Sequence, residues 1–181
     1  MPISIGSSVL NLANILDLAF MMNRLLVSGL TESEATAVYG NYTTLAVPMF
    51  NLIISLITPL TMAHLPKLSN AYYSGDKELF KNEGNRMLLI VNMISVPATF
   101  MFCFYSFDLL DILFSVHSAA VGADMLTTLS LGVYLLSLLT VVNTALEARG
   151  KIKTTLVSLF IGAIVKIIST YLLMDLSLIH I

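Results

Sequence analysis

Four polar side chains lie within apolar segments of this sequence and have the chemistry to bind ions or phosphate. Asn14, Asp17 and Arg24 belong to the first apolar segment, and Lys166 lies near the middle of the last one. A carboxylate inside a membrane can bind a cation or carry a proton, whereas guanidinium and ammonium groups match phosphate oxygens. The residue types therefore indicate ion coupling at Asp17 and Asn14, and an anionic ligand at Arg24 and Lys166.

Each of these side chains also has a structural explanation. Asp17 can pair with Asn14 or with a donor on another helix. Arg24 lies about 10 Å of helix rise beyond Asp17, too far for a simple contact, and near a segment end where it can snorkel to headgroups. Lys166 lies too far past the preceding basic turn to reach headgroups easily, so a functional role is favoured for it.

Five apolar segments must position these residues. The chain is 57% hydrophobic and 11% charged, with a mean hydropathy of +0.88, which is typical of an integral membrane protein. Segments of about 20 apolar residues indicate helices, because barrel strands are shorter and alternate in polarity. We therefore expect an all-α membrane protein, a bundle of about five transmembrane helices over residues 2–26, 42–65, 87–105, 125–145 and 154–174.

Every predicted helix carries a stripe of small polar side chains. Asn51 and Ser55 share a face of the second helix, and Tyr134 lies between Ser130 and Ser137 on the fourth. Such residues commonly serve helix packing, which explains any single stripe. Five stripes together with three charges favour a shared polar interior instead. Asn51 and Tyr134 are therefore candidate residues for contacting a substrate in a cavity.

The segments between the spans contain recognisable turn and helix signals. Pro48 and Pro59 predict kinks in the second helix. Gly75 can end one helix, and Asp76 can cap the next. Residues 109–114 are apolar enough to form a short amphipathic helix in the membrane interface.

The distribution of basic residues predicts the orientation of the bundle. The first and third loops contain no Lys or Arg, whereas the second and fourth loops contain Lys67, Lys77, Lys81, Arg86, Arg149, Lys151 and Lys153. Because cytoplasmic loops are enriched in Lys and Arg, the second and fourth loops are expected inside the cell. The sequence thus predicts a multi-pass protein of the cytoplasmic membrane with its first residue on the cytoplasmic side.

The sequence lacks the motifs of soluble enzymes. It has no phosphate-binding glycine loop, no Ser/His/Asp set and no Cys/His metal spacing, so we expect no catalytic residues, no metal site and no nucleic-acid partner. Asp108 and Asp111 form the one close acid pair that suggests a metal-dependent, membrane-embedded lipid-modifying enzyme, and this indication is weak because the pair has no basic neighbours. A non-transporting scaffold is a further alternative. His64 and His117 lie near span ends, where we expect them to be solvated.

Two runs of the sequence resemble a known group of exporters. Residues 16–76, from LDLAFMMNRLL to YYSGD, and residues 146–173, LEARGKIKTTLVSLFIGAIVKIISTYLL, resemble the second lobe of the multidrug/oligosaccharidyl-lipid/polysaccharide exporter superfamily. Within it, they are most similar to polysaccharide biosynthesis and stage V sporulation protein B-like flippases, which are related to lipid II flippases.

The resemblance implies a partial C-terminal lobe of a two-lobe exporter, whose partner would be the first lobe of the same polypeptide. It implies a flippase that moves polyprenyl-diphosphate-linked sugars across the membrane by alternating access, with Lys166 and Arg24 near the diphosphate. Membrane lipids are the other expected partners. No organic cofactor is expected, and Na⁺ or H⁺ is a possible coupling ion. The alternative is a cation-coupled multidrug antiporter of the same superfamily, which would depend on Asp17.

The last six residues need a separate interpretation. Residues 176–181, LSLIHI, match what one frame of a common transposon adapter encodes, so we expect a non-native tail. The alternatives are a chance match or a short natural loop. His180 is not a candidate ligand under any of these interpretations.

Overall fold

A computed structural model describes residues 21–23, 25–114, 119–151, 153–155, 157–158, 161–162 and 164–165. Its main elements are α1 (Glu32–Asn41), a π-helical segment (Tyr42–Ala46), α2 (Val47–Tyr73), α3 (Lys77–Phe104), α4 (Ser106–Phe114) and α5 (Ala119–Ala148). Residues 40–152 form one compact unit, and the described residues outside this range belong to a second unit.

The described chain is all-helical, as predicted, and three of its helices are long and apolar enough to cross a membrane. They are Glu32–Tyr73, Lys77–Phe104 and Gly122–Ala148, and the predicted spans 42–65, 87–105 and 125–145 fall on them. The predicted spans 2–26 and 154–174 lie largely outside the described residues, as do residues 176–181.

The polar stretch of residues 66–86 is helical at both ends and contains only a short turn. α2 continues to Tyr73 and α3 begins at Lys77. At the turn between them, Gly75 has a φ of +76°, and Asp76 Oδ1 accepts the backbone N–H of Leu79 at 2.9 Å. The predicted helix stop at Gly75 and helix cap at Asp76 are both confirmed.

The second helix changes its winding just before Pro48. Residues Tyr42–Ala46 are π-helical, and the N–H of Val47 donates to the carbonyl of Tyr42. Pro48 has no N–H to donate, and its ring crowds the carbonyl four residues earlier, so a wider turn relieves the conflict. The disturbance expected at Pro48 is thus a π-helical segment. Pro59, like Pro66, lies inside the continuous helix α2.

A bundle of α2, α3 and α5 forms the core of the 40–152 unit, since each of these helices packs against the other two. Large side chains that are almost completely buried fill its centre, among them Ile57, Val91, Phe102, Leu126 and Val133. The short α4 packs mainly on α5 and more weakly on α3. The helix predicted within residues 109–114 is therefore present and begins three residues earlier.

The successive directions of the helices bring the C-terminus of α2, the N-terminus of α3 and the C-terminus of α5 to one end of the bundle. The closing turn of α5 contains Gly150 with a φ of +70°, and its Lys151 N–H donates to the carbonyl of Leu146 at 3.0 Å. A Cβ atom on Gly150 would lie 2.9 Å from the hydroxyl of Tyr73 at the end of α2. The two helix ends are therefore in direct contact.

Candidate functional site

The charged residues singled out in the sequence cannot be located on the fold. Asn14, Asp17, Arg24 and Lys166 lie outside the described residues. Their proposed roles in ion coupling and phosphate binding remain predictions.

The other two candidates, Asn51 and Tyr134, lie in different environments of the bundle. Asn51 is exposed on α2, as is Ser55 on the same face, and the Ser55 hydroxyl donates to the carbonyl of Leu52 at 2.7 Å. Tyr134 is half-buried on α5, between the buried Ser130 and Ser137. The polar face of α2 is thus open, whereas the stripe on α5 points into the bundle.

The polar stripe on α5 serves helix packing rather than lining an open polar space. Ser137 is fully buried, and its hydroxyl donates to the carbonyl of Val133 at 2.5 Å. Ser130 and Thr144 likewise donate to carbonyls of their own helix. A hydroxyl that is satisfied within its own helix lets a neighbouring helix approach closely without offering a group to a ligand. The prediction of a shared polar interior is wrong for this helix.

The stripe on α3 contains two polar atoms without a partner. Ser95 is fully buried on α3, and neither its Oγ nor Oδ1 of Asn92, one turn away, has a hydrogen-bond partner. The Thr99 hydroxyl donates to the Ser95 carbonyl at 2.7 Å. Two buried acceptors one turn apart are an unusual feature in an apolar helix, because each costs free energy when it is not hydrogen-bonded.

The most polar buried cluster is a carboxylate and an imidazole between α2 and α3. Glu83 is 6% exposed, and its Oε2 lies 3.2 Å from Nδ1 of His64. The other carboxylate oxygen lies 3.7 Å from a guanidinium nitrogen of Arg86, one turn along α3. A buried charge needs such partners, so Glu83 holds α2 and α3 in register.

The contact between Glu83 and His64 is a hydrogen bond in which Nδ1 donates to the carboxylate when that ring nitrogen carries the hydrogen. The side chain of His64 is only 16% exposed, so the expectation that it is solvated was wrong. Glu83 was not among the candidate residues predicted from the sequence. Its spacing of four residues from Met87 and eight from Val91 places it on the same buried face of α3.

Metal-dependent chemistry has no support in the described part of the chain. No group of three or more His, Cys, Asp or Glu residues in that part is arranged to hold a metal ion. On α4, Asp108 is exposed and Asp111 is half-buried. The described residues therefore add no third metal ligand to the pair Asp108 and Asp111, which suggested a lipid-modifying enzyme.

Long apolar helices packed around a small polar cluster define the chain as a multi-pass membrane protein. The sequence model of the MatE family matches residues 4–172, so the chain belongs to the MatE family, part of the multidrug/oligosaccharidyl-lipid/polysaccharide exporter superfamily. Members of this family are membrane transporters rather than enzymes. No curated protein matches the chain. No solved structure matches it either.

Proposed function

We propose that this chain is part of the second lobe of a flippase that moves lipid-linked oligosaccharide or polysaccharide precursors across the cytoplasmic membrane. The first lobe of the same polypeptide would complete the transporter, and the two lobes would open alternately to each side. The substrate would be a sugar carried on a polyprenyl diphosphate. Family membership supports transport, and the charges of the chain support an anionic substrate.

The observation that carries this proposal is the kind of charge found in the apolar segments. Residues 42–65, 87–105 and 125–145 contain no Asp, Glu, Lys or Arg, whereas Lys166 places an ammonium group inside the last apolar segment. A strongly hydrated diphosphate crosses a membrane more easily where a fixed positive charge lies near the midplane. Lys166 would supply that charge, and Arg24 would bind the diphosphate closer to the membrane surface.

The open polar face of α2 supports a cavity beside the bundle. Asn51 and Ser55 are exposed on α2 in the middle of an apolar helix. Polar side chains in membrane helices normally face protein or water rather than lipid, because lipid offers them no hydrogen-bond partners. We expect this face to line the space between the two lobes, with Asn51 contacting the sugar. Tyr134 would contribute through the packing of α5 rather than by direct contact.

The expected orientation follows from the basic turns. The turns at Gly75 and Gly150 lie at one end of the bundle, and this end would face the cytoplasm because its loops hold the basic residues. The substrate would then enter from the end of the bundle that carries positive charge. Membrane lipids would surround the apolar faces of the helices.

A cation-coupled multidrug antiporter is the second candidate, and the buried Glu83–His64 pair favours it. Buried carboxylates in membrane bundles often carry protons through the transport cycle. In that case Glu83 would exchange a proton, and Asp17 with Asn14 would bind the coupling ion, Na⁺ or H⁺. A flippase would bind its coupling ion at the same residues. The flippase and the antiporter therefore differ mainly in the substrate that they transport.

Complementation of a flippase-deficient strain distinguishes the two candidates. The polypeptide that carries this lobe would be tested as Lys166→Arg, Lys166→Met and Asp17→Asn, with Lys153→Met as a matched control in the basic turn. We expect Lys166→Arg to retain part of the export of lipid-linked sugar and Lys166→Met to abolish it, while Lys153→Met stays active. All variants should reach the membrane at similar levels. Normal export by Lys166→Met would remove Lys166 as the substrate anchor. Failure of the wild type to complement, with drug resistance that depends on Asp17 and survives Lys166→Met, would favour the antiporter.

A further inference from the structure

A cavity of about 390 Å³ lies at the end of the bundle where α2 and α5 end and α3 begins. Most of its lining is apolar, and the rings of Tyr72 and Phe80 contribute to it, together with Lys77 and Arg149. All of these residues belong to the 40–152 unit. The cavity therefore combines an apolar interior with two positive charges, which is the chemistry of a site for an amphiphilic anion.

Aromatic rings cluster at this cavity. The rings of Tyr72 and Tyr73 are 5.4 Å apart in an edge-to-face arrangement, and the Phe80 ring lies 6.2 Å from that of Tyr72. Tyr side chains concentrate at both surfaces of membrane proteins, because an apolar ring with a polar hydroxyl suits the headgroup region. We therefore expect the cavity to open at the level of the lipid headgroups.

One of the two bases is held in position by an aromatic ring. The guanidinium carbon of Arg149 lies 4.8 Å from the centre of the Phe80 ring. A guanidinium over a ring face is stabilised by the π electrons, and it keeps N–H donors at its edge for two oxygens of one phosphate. Lys77, at the first position of α3, adds an ammonium group from the opposite helix end. Both bases line the same cavity.

One acid also lines the cavity, but it is already engaged. The carboxylate of Asp76 accepts the backbone N–H of Leu79 at 2.9 Å as the cap of α3. Lys81 lies one turn beyond Lys77 on α3, and Lys151 follows Arg149 by two residues, so further bases flank the cavity. Residues 67–86 and 146–153 together contain seven bases and four acids, which are Asp76, Glu78, Glu83 and Glu147, so this end keeps a net positive charge.

We propose that this cavity binds the headgroup of an anionic phospholipid from the surrounding bilayer. The phosphate would contact Arg149 and Lys77, and the start of the acyl chains would lie against Tyr72 and Phe80. A basic pocket between membrane helices at the cytoplasmic face is suited to such lipids, since it combines charge with contact to the bilayer. This proposal makes no use of Lys166, so its failure would leave the proposed substrate unaffected.

The test is native mass spectrometry of the whole chain released from nanodiscs that contain equal amounts of phosphatidylglycerol and phosphatidylcholine. We expect the chain to retain phosphatidylglycerol preferentially. Removal of either base, in Arg149→Gln or Lys77→Gln, should lower this preference about fivefold, the usual effect of one base near a charged membrane surface. Lys67→Gln is the matched control, because Lys67 is an exposed base of α2 that does not line the cavity. It should leave the preference unchanged.

Several outcomes would overturn the proposal. An equal loss of phosphatidylglycerol preference in Lys67→Gln would show that the charged face attracts anionic lipid in general, without a specific binding site in the cavity. Displacement of bound lipid by millimolar inorganic phosphate would show a site for soluble anions. If Arg149→Gln disturbs folding, as helicity by circular dichroism would reveal, Phe80→Leu provides the second variant. It should weaken phosphatidylglycerol retention by releasing Arg149, and full retention in folded Phe80→Leu would contradict the proposal.

Discussion

Nδ1 of His64 lies 3.2 Å from Oε2 of Glu83, across the contact between α2 and α3. Both side chains are mostly buried, with 16% and 8% of their surfaces exposed. This contact joins two helices that are otherwise held by apolar packing. The pair is therefore a polar link between α2 and α3 inside the bundle.

The stability of the bundle should depend on this pair. Glu83→Leu leaves the buried His64 imidazole without its partner, so we expect a loss of about 1–3 kcal/mol in the free energy of unfolding. Glu83→Gln keeps an acceptor and should cost less. Thermal unfolding in detergent, followed by circular dichroism, measures both changes. Glu78→Leu is the control, since Glu78 is exposed in the first turn of α3, and an equal loss in this control would show that the pair adds no stability.

Local sequence signals predicted the apolar parts of three helices and the turn at Gly75, but not α1 (Glu32–Asn41), which lies in the stretch interpreted as the first loop. Hydropathy over windows of about 20 residues identified the apolar parts of α2, α3 and α5, and Gly75 and Asp76 marked the turn between two of them. These signals depend on residues close together in the chain. They also predicted that residues 66–86 contain the end of one helix and the cap of the next, but the apolar span predicted to begin at residue 87 belongs to a helix that begins at Lys77.

Pairing between helices was not predicted from the sequence. The contact of His64 with Glu83 depends on the axial offset between α2 and α3. The periodicity of each helix alone does not determine that offset. The same limit applies to the polar stripes. Ser137 and Asn51 both appeared as parts of a polar face, but packing buries one between helices and leaves the other exposed. Only the arrangement of neighbouring helices separates these cases.

Ser137 provides a test of the packing explanation for the α5 stripe. Its hydroxyl bonds only to its own helix at Val133, so Ser137→Ala should change the unfolding free energy little. Ser137→Leu should cost about 1–3 kcal/mol, because a larger side chain does not fit between packed helices. Thermal unfolding of both variants measures the difference. Tolerance of Leu at this position would indicate open space beside α5 and restore the interpretation as a cavity.

The contact between Gly150 and Tyr73 predicts different costs for two glycine substitutions. Gly75→Ala and Gly150→Ala both force a side chain into a left-handed conformation, at about 1–2 kcal/mol. A Cβ atom at Gly150 would also press on the Tyr73 hydroxyl, whereas nothing lies within 4 Å at Gly75. Because Tyr73 is 71% exposed and its ring can move aside, Gly150→Ala should be the more destabilising substitution in thermal unfolding by only a small margin.

The Tyr73→Phe background is the control for this comparison. Removal of the hydroxyl removes the atom that the new Cβ would meet, so the extra cost of Gly150→Ala should disappear. If the extra cost persists in that background, the helix ends of α2 and α5 do not meet through Tyr73.

The orientation of the bundle can be tested by labelling single cysteines in a Cys103→Ser background. Ser74→Cys and Lys151→Cys lie at the same end of the bundle and should be protected from an impermeant maleimide added outside the cell. Glu32→Cys should react. Because the prediction rests on basic residues, labelling of Ser74→Cys and Lys151→Cys from outside would reverse the orientation. Labelling of these two sites from opposite sides would contradict the fold.

The most direct test of the proposed function is translocation of a polyprenyl-diphosphate-linked saccharide in proteoliposomes that contain the polypeptide carrying this lobe. We expect the wild type to move the saccharide to the opposite leaflet. Lys166→Met should slow translocation at least about tenfold, a loss of about 1.4 kcal/mol of barrier lowering, and Lys166→Arg should retain part of the rate. Proton-coupled uptake of cationic drugs without any translocation of the saccharide would contradict the proposal and identify an antiporter instead.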